Sequence, residues 1–295
     1  MNNNIKGSLI LFLTAIIWGI SFVAQSVGMD YIGPATFMGI RTTMGGLVLL
    51  PFIFITDQKK KKQGTYVKTD MKKVLKGGSL CGVFLCCASV LQTYGLKYTT
   101  TAKSGFLTAL YIIFVAVLGL FYGKKLNVKM ALGIITSVVG MYFLCLFGAE
   151  VSFNVGDLLT VICAVFFAGQ ILCVDKFVRE EVDCVKLSCT QFLVAGGLSL
   201  ILMVLTETPD IKNIMSCSVA LLYSGVMSCG VAYTLQVVGQ KYAEPTTASI
   251  IMSFEAVFAA IAGWIILSEA MTLSQIGGCL LMFLAIVLVQ LPSKK

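Results

Sequence analysis

Histidine does not occur in this chain. Its absence removes the commonest general base and the commonest metal ligand, and with them every nucleophile–base pair or metal set that needs an imidazole. The eleven cysteines do not fill the gap. None stand in a C-x-x-C arrangement and most lie in or beside apolar stretches, the setting of a small packing residue and not of a redox or metal framework. A Walker loop with Gly-Lys-Ser/Thr, a nucleophile elbow and a zinc-protease signature are missing too; GKK at Gly123 to Lys125 lacks the rest of a phosphate loop. No cofactor or metal is expected, and an integral-membrane enzyme is the disfavoured reading. Charge is scarce as well: 12% of residues are Asp, Glu, Lys or Arg, against ~25% in soluble domains. With 58% hydrophobic residues and a mean hydropathy of +0.92, the chain is built for a bilayer.

A membrane-crossing helix needs ~20 mostly apolar residues. Polar punctuation divides the sequence into ten such stretches, near Gly7–Val27, Pro34–Ile55, Val74–Leu96, Thr101–Tyr122, Val128–Phe147, Val155–Val174, Val185–Leu205, Ile214–Gln240, Pro245–Leu267 and Leu273–Leu291. The first has the flanks of a signal peptide. Its pattern GSLILFLTAIIWG, however, resembles GDLLTVICAVFFA from Gly156, inside the chain, which favours a retained span. If the N-terminus faces the cytoplasm, eighteen of the 22 Lys and Arg residues lie on that side, eight of them between 56 and 76. Only Lys97, Lys103 and Lys212 lie opposite, with Arg41 inside a span. The positive-inside rule therefore predicts a multi-pass plasma-membrane protein with both termini cytoplasmic. The formal charge of +8 is an orientation signal, not a nucleic-acid footprint, although the KKKK run can also meet anionic lipid.

The phrase LQTYGLKYTT, residues 91–100, returns as LQVVGQKYAE, residues 235–244. A constant offset of 144 superimposes spans three to five on spans eight to ten, pairing Phe114 with Phe258, Gly119 with Gly263 and Gly133 with Gly277; an offset of 149 relates span one to span six. The expected fold is all-α, ten transmembrane helices as two five-helix repeats, 1–148 and 149–295. Five is odd, so the second repeat enters from the other face and the repeats are inverted, an arrangement that recurs in secondary transporters working by alternating access.

Ionisable groups deep within spans are costly and are functional hypotheses by default. Here they are Glu255 and Arg41. Glu255 lies ten residues beyond Pro245, roughly 15 Å along a helix and so near the bilayer midplane. The 144 offset carries it onto Tyr111. Along the same helical sides lie Ser104, Thr108 and Gly119 with Tyr111, and Ala248, Met252 and Ala259 with Glu255. Glu255 has two readings of equal weight: a proton carrier or partner for a cationic substrate group, and a carboxyl that fixes packing. For Arg41, snorkelling toward the outer interface or pairing with a carbonyl outweighs binding an anion. Trp18 and Ser21 in the first span, and Gln170, which aligns with Ser21, are candidate cavity-lining groups, with ordinary packing as strong a reading for Trp18. Gln92 and Gln236 of the repeated phrase should enter the bilayer near the cavity.

GLKYTTTAKSGFLTALYIIFVAVLG and EPTTASIIMSFEAVFAAIAGWIILSEAMT resemble the paired signatures of the EamA family in the drug/metabolite transporter superfamily, and the resemblance covers essentially the whole chain. Arg41 in GIRTTMGG, Glu255, and Glu269 at the end of the ninth span match positions of that family. The resemblance implies ten helices, a central cavity and movement of small metabolites, often amino acids and often outward. Two departures stand out: Ala256 follows Glu255 where the family commonly has Pro, which puts a kink there in doubt, and Lys124 and Lys125 stand where an acid is common. The expected function is a secondary transporter of small metabolites, proton-coupled or facilitative, with the lipid bilayer and a small-molecule substrate as partners and a homodimer compatible with the sequence. Two alternatives are a membrane scaffold that has lost transport, against which Ser104, Thr108 and Gly119 argue, and, lower, a phosphate- or nucleotide-sugar carrier, which would need more basic residues than Arg41.

Overall fold

A computed structural model describes residues 3–99, 101–148, 153–267 and 271–290. Among these, ten helices are long and apolar enough to cross a membrane: α1 (Ile5–Met29), α2 (Pro34–Lys62), α3 (Met71–Gly95), α4 (Lys103–Phe121), α5 (Val128–Cys145), α6 (Val155–Arg179), α7 (Cys184–Thr206), α8 (Ser218–Gln240), α9 (Pro245–Ile266) and α10 (Leu273–Gln290). The expected all-α membrane architecture is the observed one. Several ends differ from the sequence reading. α2 runs seven residues past Ile55 through the lysine run, because Lys is a good helix former and cations suit a helix C-terminus. α6 continues to Arg179, where Arg179 pairs one turn back with Asp175. The stretch expected to begin α8 at Ile214 is instead a separate six-residue helix, Ile211–Ser216, capped by Asp210.

Polar contacts at the helix ends sort the connections into two faces. On one face Lys186 at the start of α7 meets Asp57 at the end of α2 at 2.8 Å. There too Lys124, after α4, meets Asp175 of α6 at 2.6 Å, and Lys6 lies over the ring of Tyr242. On the other, Lys103 at the start of α4 meets Asp157 at the start of α6 at 2.6 Å. Glu207 beyond α7 there accepts from the backbone N–H groups of Ala35 and Thr36, both at 2.9 Å, and from the Thr36 hydroxyl. That last contact has a local cause. The residue preceding α2 is Gly33, with no side chain to cap the helix, so a carboxylate from α7 supplies the missing acceptor. Each of α2–α7 and α4–α6 is thus tied at both ends, across the two repeats.

The packing follows the duplication: α2 lies on α7, α5 on α10, α3 on α6 and α7, and α1 on α9 and α8. The main apolar core joins α1, α4, α5, α6, α9 and α10, with Leu11, Ile112, Met141, Ile250 and Met282 fully enclosed. Where α5 crosses α10 two glycines let the backbones touch. A Cβ on Gly278 would stand 2.5 Å from the Gly140 carbonyl oxygen, while one on its neighbour Gly277 would meet nothing within 4 Å. Small residues at helix crossings are what permit such approach in lipid. Gly278→Val should therefore cost about 1–3 kcal/mol through overpacking, read as a lowered midpoint of thermal unfolding in detergent, whereas Gly277→Ala should leave the midpoint unchanged or raise it. Equal losses at both positions would refute the close-contact reading.

Candidate functional site

Two helices of the core are broken, and at equivalent places. In α4, Leu110 N–H reaches back only three residues to Leu107 O (3.3 Å), and Ile113 N–H to Leu110 O (2.9 Å). In α9, Phe254 N–H bonds Ile251 O (3.2 Å), Ala256 N–H bonds Ser253 O (3.1 Å) and Val257 N–H bonds Phe254 O (3.0 Å). Leu110 and Phe254 are 144 apart. The tightened turn in α9 exists with Ala256 in place of Pro. Ser249 and Ser253, whose hydroxyls bond the carbonyls of Thr246 and Ile250, supply a bend of the kind such back-bonding produces. Each break starts a new helical segment, at Tyr111 in α4 and at Glu255 in α9. A carboxylate in the first turn of a segment is favoured by the helix dipole.

Between these breaks lies a cavity of about 60 Å³ open to water centres, large enough for several waters or one small solute. Trp18, Ser21, Arg41, Gln92, Thr108, Tyr111, Gln170, Gln236 and Glu255 line it. Ser104, one turn from Thr108, is buried but is not part of the lining. Gly119 also stands apart, its missing Cβ facing only the Lys124 side chain. Glu269 lies outside the described residues. The walls include further groups that the sequence reading did not select as site residues: Phe22, Gln25, Phe167, Ile171, Ser228, Tyr233 and Met252.

Arg41 does not snorkel to an interface, as expected from sequence. It is 7% exposed and its Nε donates to the Met38 sulfur at 3.1 Å, with the guanidinium over the Phe37 ring. Among the described residues no carboxylate lies within ion-pair reach of it, and Glu255, which faces the same cavity, has no hydrogen-bond or ion-pair partner among them either. Tyr233 stands within electrostatic range of both, with its ring edge-on to Trp18 at 4.5 Å between centroids. Tyr233 gets there through an unusual backbone: Tyr223–Ala232 is a π-helix, and the N–H of Tyr233 bonds the carbonyl of Ser228, five residues back. The wider turn brings Ser228 and Tyr233 to the same wall, a use of π-turns common at functional sites. Gln92 donates to Thr108 at 3.1 Å. Several polar atoms stay buried and unpartnered at the wall, among them Trp18 Nε1, Gln25 Nε2, Tyr111 Oη and Gln236 Oε1. Such atoms are rare in native interiors, and here all four belong to side chains that line the cavity.

The sequence profile of the EamA-like transporter family matches the chain twice, over residues 5–146 and 154–291. The chain belongs to the EamA-like transporter family. An uncharacterized transporter of Archaeoglobus fulgidus is 29% identical over 282 residues, covering 95% of this chain and 84% of that one. The uncharacterized transporter YoaV of Bacillus subtilis is 25% identical over 285 residues, 94% of either chain. One crystal structure, of a protein 18% identical, superposes with a TM-score of 0.77 over 97% of this chain and 96% of that one, a likeness that shows the fold. This EamA-like protein is accordingly a multi-pass membrane transporter of the drug/metabolite transporter superfamily and not an enzyme.

Proposed function

We propose that this transporter moves small zwitterionic metabolites, amino acids or close relatives, across the plasma membrane by alternating access, with outward net flux and both termini in the cytoplasm. The observation that carries the reading is a guanidinium and a carboxyl group that line one cavity and have no partner among the described residues. Removing a charge from water without a partner is expensive. Two such groups sharing one space are most simply explained by a ligand that brings the opposite pair: its carboxylate to Arg41, which offers a fork of donors, and its ammonium to Glu255 in its deprotonated form. The aromatic pair Trp18–Tyr233 suits the apolar part of such a solute. Glu255 is also the group able to carry a proton when no substrate is bound, which would couple flux to the proton gradient. The two EamA-like copies, divided at 148/149, would rock against one another around the site. The face that gathers Lys6, Lys124, Lys186 and the lysine run is assigned to the cytoplasm by its charge.

Counterflow in proteoliposomes tests this directly. Vesicles preloaded with unlabelled amino acid should accumulate the labelled one. An analogue lacking the amine and an analogue lacking the carboxylate should each compete at least tenfold less well than the intact zwitterion. Absence of counterflow for every amino acid, or equal competition by the amine alone, would sink the reading.

A further inference from the structure

Three buried carboxamides form a directed chain that starts at the cavity and leaves it. Gln236 of α8 donates through Nε2 to Gln170 Oε1 at 3.1 Å, and Gln170 of α6 donates through Nε2 to Gln191 Oε1 of α7, again at 3.1 Å. All three are at most 1% exposed. Gln170 and Gln236 line the cavity, and Gln191 stands behind them. In this direction Gln170 is satisfied at both ends, and the chain has two loose ends, Gln191 Nε2 and Gln236 Oε1, both buried without a partner. Broken symmetry explains why the chain exists only in one repeat. Gln92, the counterpart of Gln236, is held by Thr108 within its own repeat. The residue 144 positions on from Thr108 is Met252, which has no oxygen to offer, so Gln236 turns to α6.

A carboxamide has an acceptor end and a donor end, and in a chain the choice at one link sets the choice at the next. We propose that Gln191 is a positioning residue for substrate selectivity. With Gln191 as the acceptor for Gln170, the chain leaves Gln236 with its carbonyl oxygen free, and that acceptor at the wall favours amino acids whose side chain carries an N–H or O–H donor. This rests on the amino-acid reading above. Reversal of the chain would present an N–H in its place and remove the preference.

The test is counterflow with matched pairs, serine against 2-aminobutyrate and glutamine against norleucine, in which one member carries the donor and the other does not. The wild type should favour the donor-bearing member by about tenfold or more in half-saturating concentration, since a site built to pair a polar group discriminates against the analogue lacking it. Gln191→Met should bring the ratio close to one while the maximal exchange rate stays within about threefold of wild type. Gln191→Glu, which keeps an acceptor oxygen for Gln170, should retain the preference. Gln236→Met, which removes the acceptor itself, should abolish it and serves where Gln191→Met does not fold. Exchange without preference in the wild type, or preference that survives Gln191→Met or Gln236→Met, overturns the relay alone. Failure of every amino acid to exchange overturns the function proposed above and the relay with it.

Discussion

Glu255→Gln should raise the amino-acid concentration for half-maximal counterflow by about 100-fold. The substitution keeps the shape of the side chain and its place in the first turn after the α9 break, so the cavity wall is unchanged and only the charge is lost. A charge-assisted hydrogen bond to a buried side chain is worth roughly 3 kcal/mol, and 1.4 kcal/mol corresponds to a factor of ten. The analogue without an amine never uses that bond, so its weaker competition should be the same in wild type and variant. Arg41→Met should show the mirror image, a similar loss for the zwitterion and none for the analogue without a carboxylate. Because Glu255 is also the proposed proton carrier, the pH dependence of exchange seen in wild type should flatten in Glu255→Gln. Unchanged exchange together with an unchanged pH profile would leave Glu255 as a packing carboxyl and remove the basis of the zwitterion reading.

What the sequence disclosed and what it hid have separable physical causes. Ten spans were legible because lipid demands long apolar helices and tolerates little else, and the offset of 144 was legible because LQTYGLKY and LQVVGQKY retain their punctuation. Subtracting that offset led from Glu255 to Tyr111, and the structure places both at the broken turns of α4 and α9. Phe22 and Gln25 also had a signal: they continue the Trp18–Ser21 stripe by one helical turn. Tyr233 had one too, standing one turn before Gln236 in the regular helix Tyr233–Gln240, whereas Ser228 had none, since the π-helix over Tyr223–Ala232 shifts the register that a 3.6-residue period extrapolates from Gln236. The break in α9 was hidden for the opposite reason. Proline is the familiar mark of a kink, whereas here two serines bonding back into their own helix bend it. The orientation of Arg41 needed the third dimension as well. A long cationic side chain seven residues into a span has room to snorkel, and only the nearby Met38 sulfur and Phe37 ring show it held inward. The same holds for Gln191, an unremarked residue of α7 until α6 and α8 stand beside it.

The second large effect is expected at the other end of α6. Asp157 is fully enclosed and accepts from Lys103 Nζ at 2.6 Å, from the Thr99 hydroxyl at 2.7 Å and from the Asn154 backbone N–H at 2.8 Å. Its own N–H bonds back to Asn154 Oδ1 at 3.1 Å, closing a reciprocal cap on the helix. One carboxylate thus starts α6 and ties it to α4 of the other repeat. Asp157→Ala removes the cap acceptor and one side of an ion pair in a mostly dry setting, where Lys103 is only 12% exposed, and such losses cost about 3–5 kcal/mol. The thermal midpoint in detergent should fall on the order of 10 °C. Asp157→Asn keeps one oxygen for the Asn154 N–H of the cap, can donate its amide N–H to the Thr99 hydroxyl, and loses the charge, so its deficit should be smaller, and adding Lys103→Met to it should restore part of the loss, because the pair is then removed as a unit. A drop of less than about 2 °C in Asp157→Ala would show that this contact contributes little to stability. A full drop in Asp157→Asn with no recovery in the double variant would assign the effect to the cap geometry and not to the charge. In either of those cases the charge of Asp157 would contribute little to holding α4 on α6, and the tie through Lys124 and Asp175 at the opposite face would be the next to test.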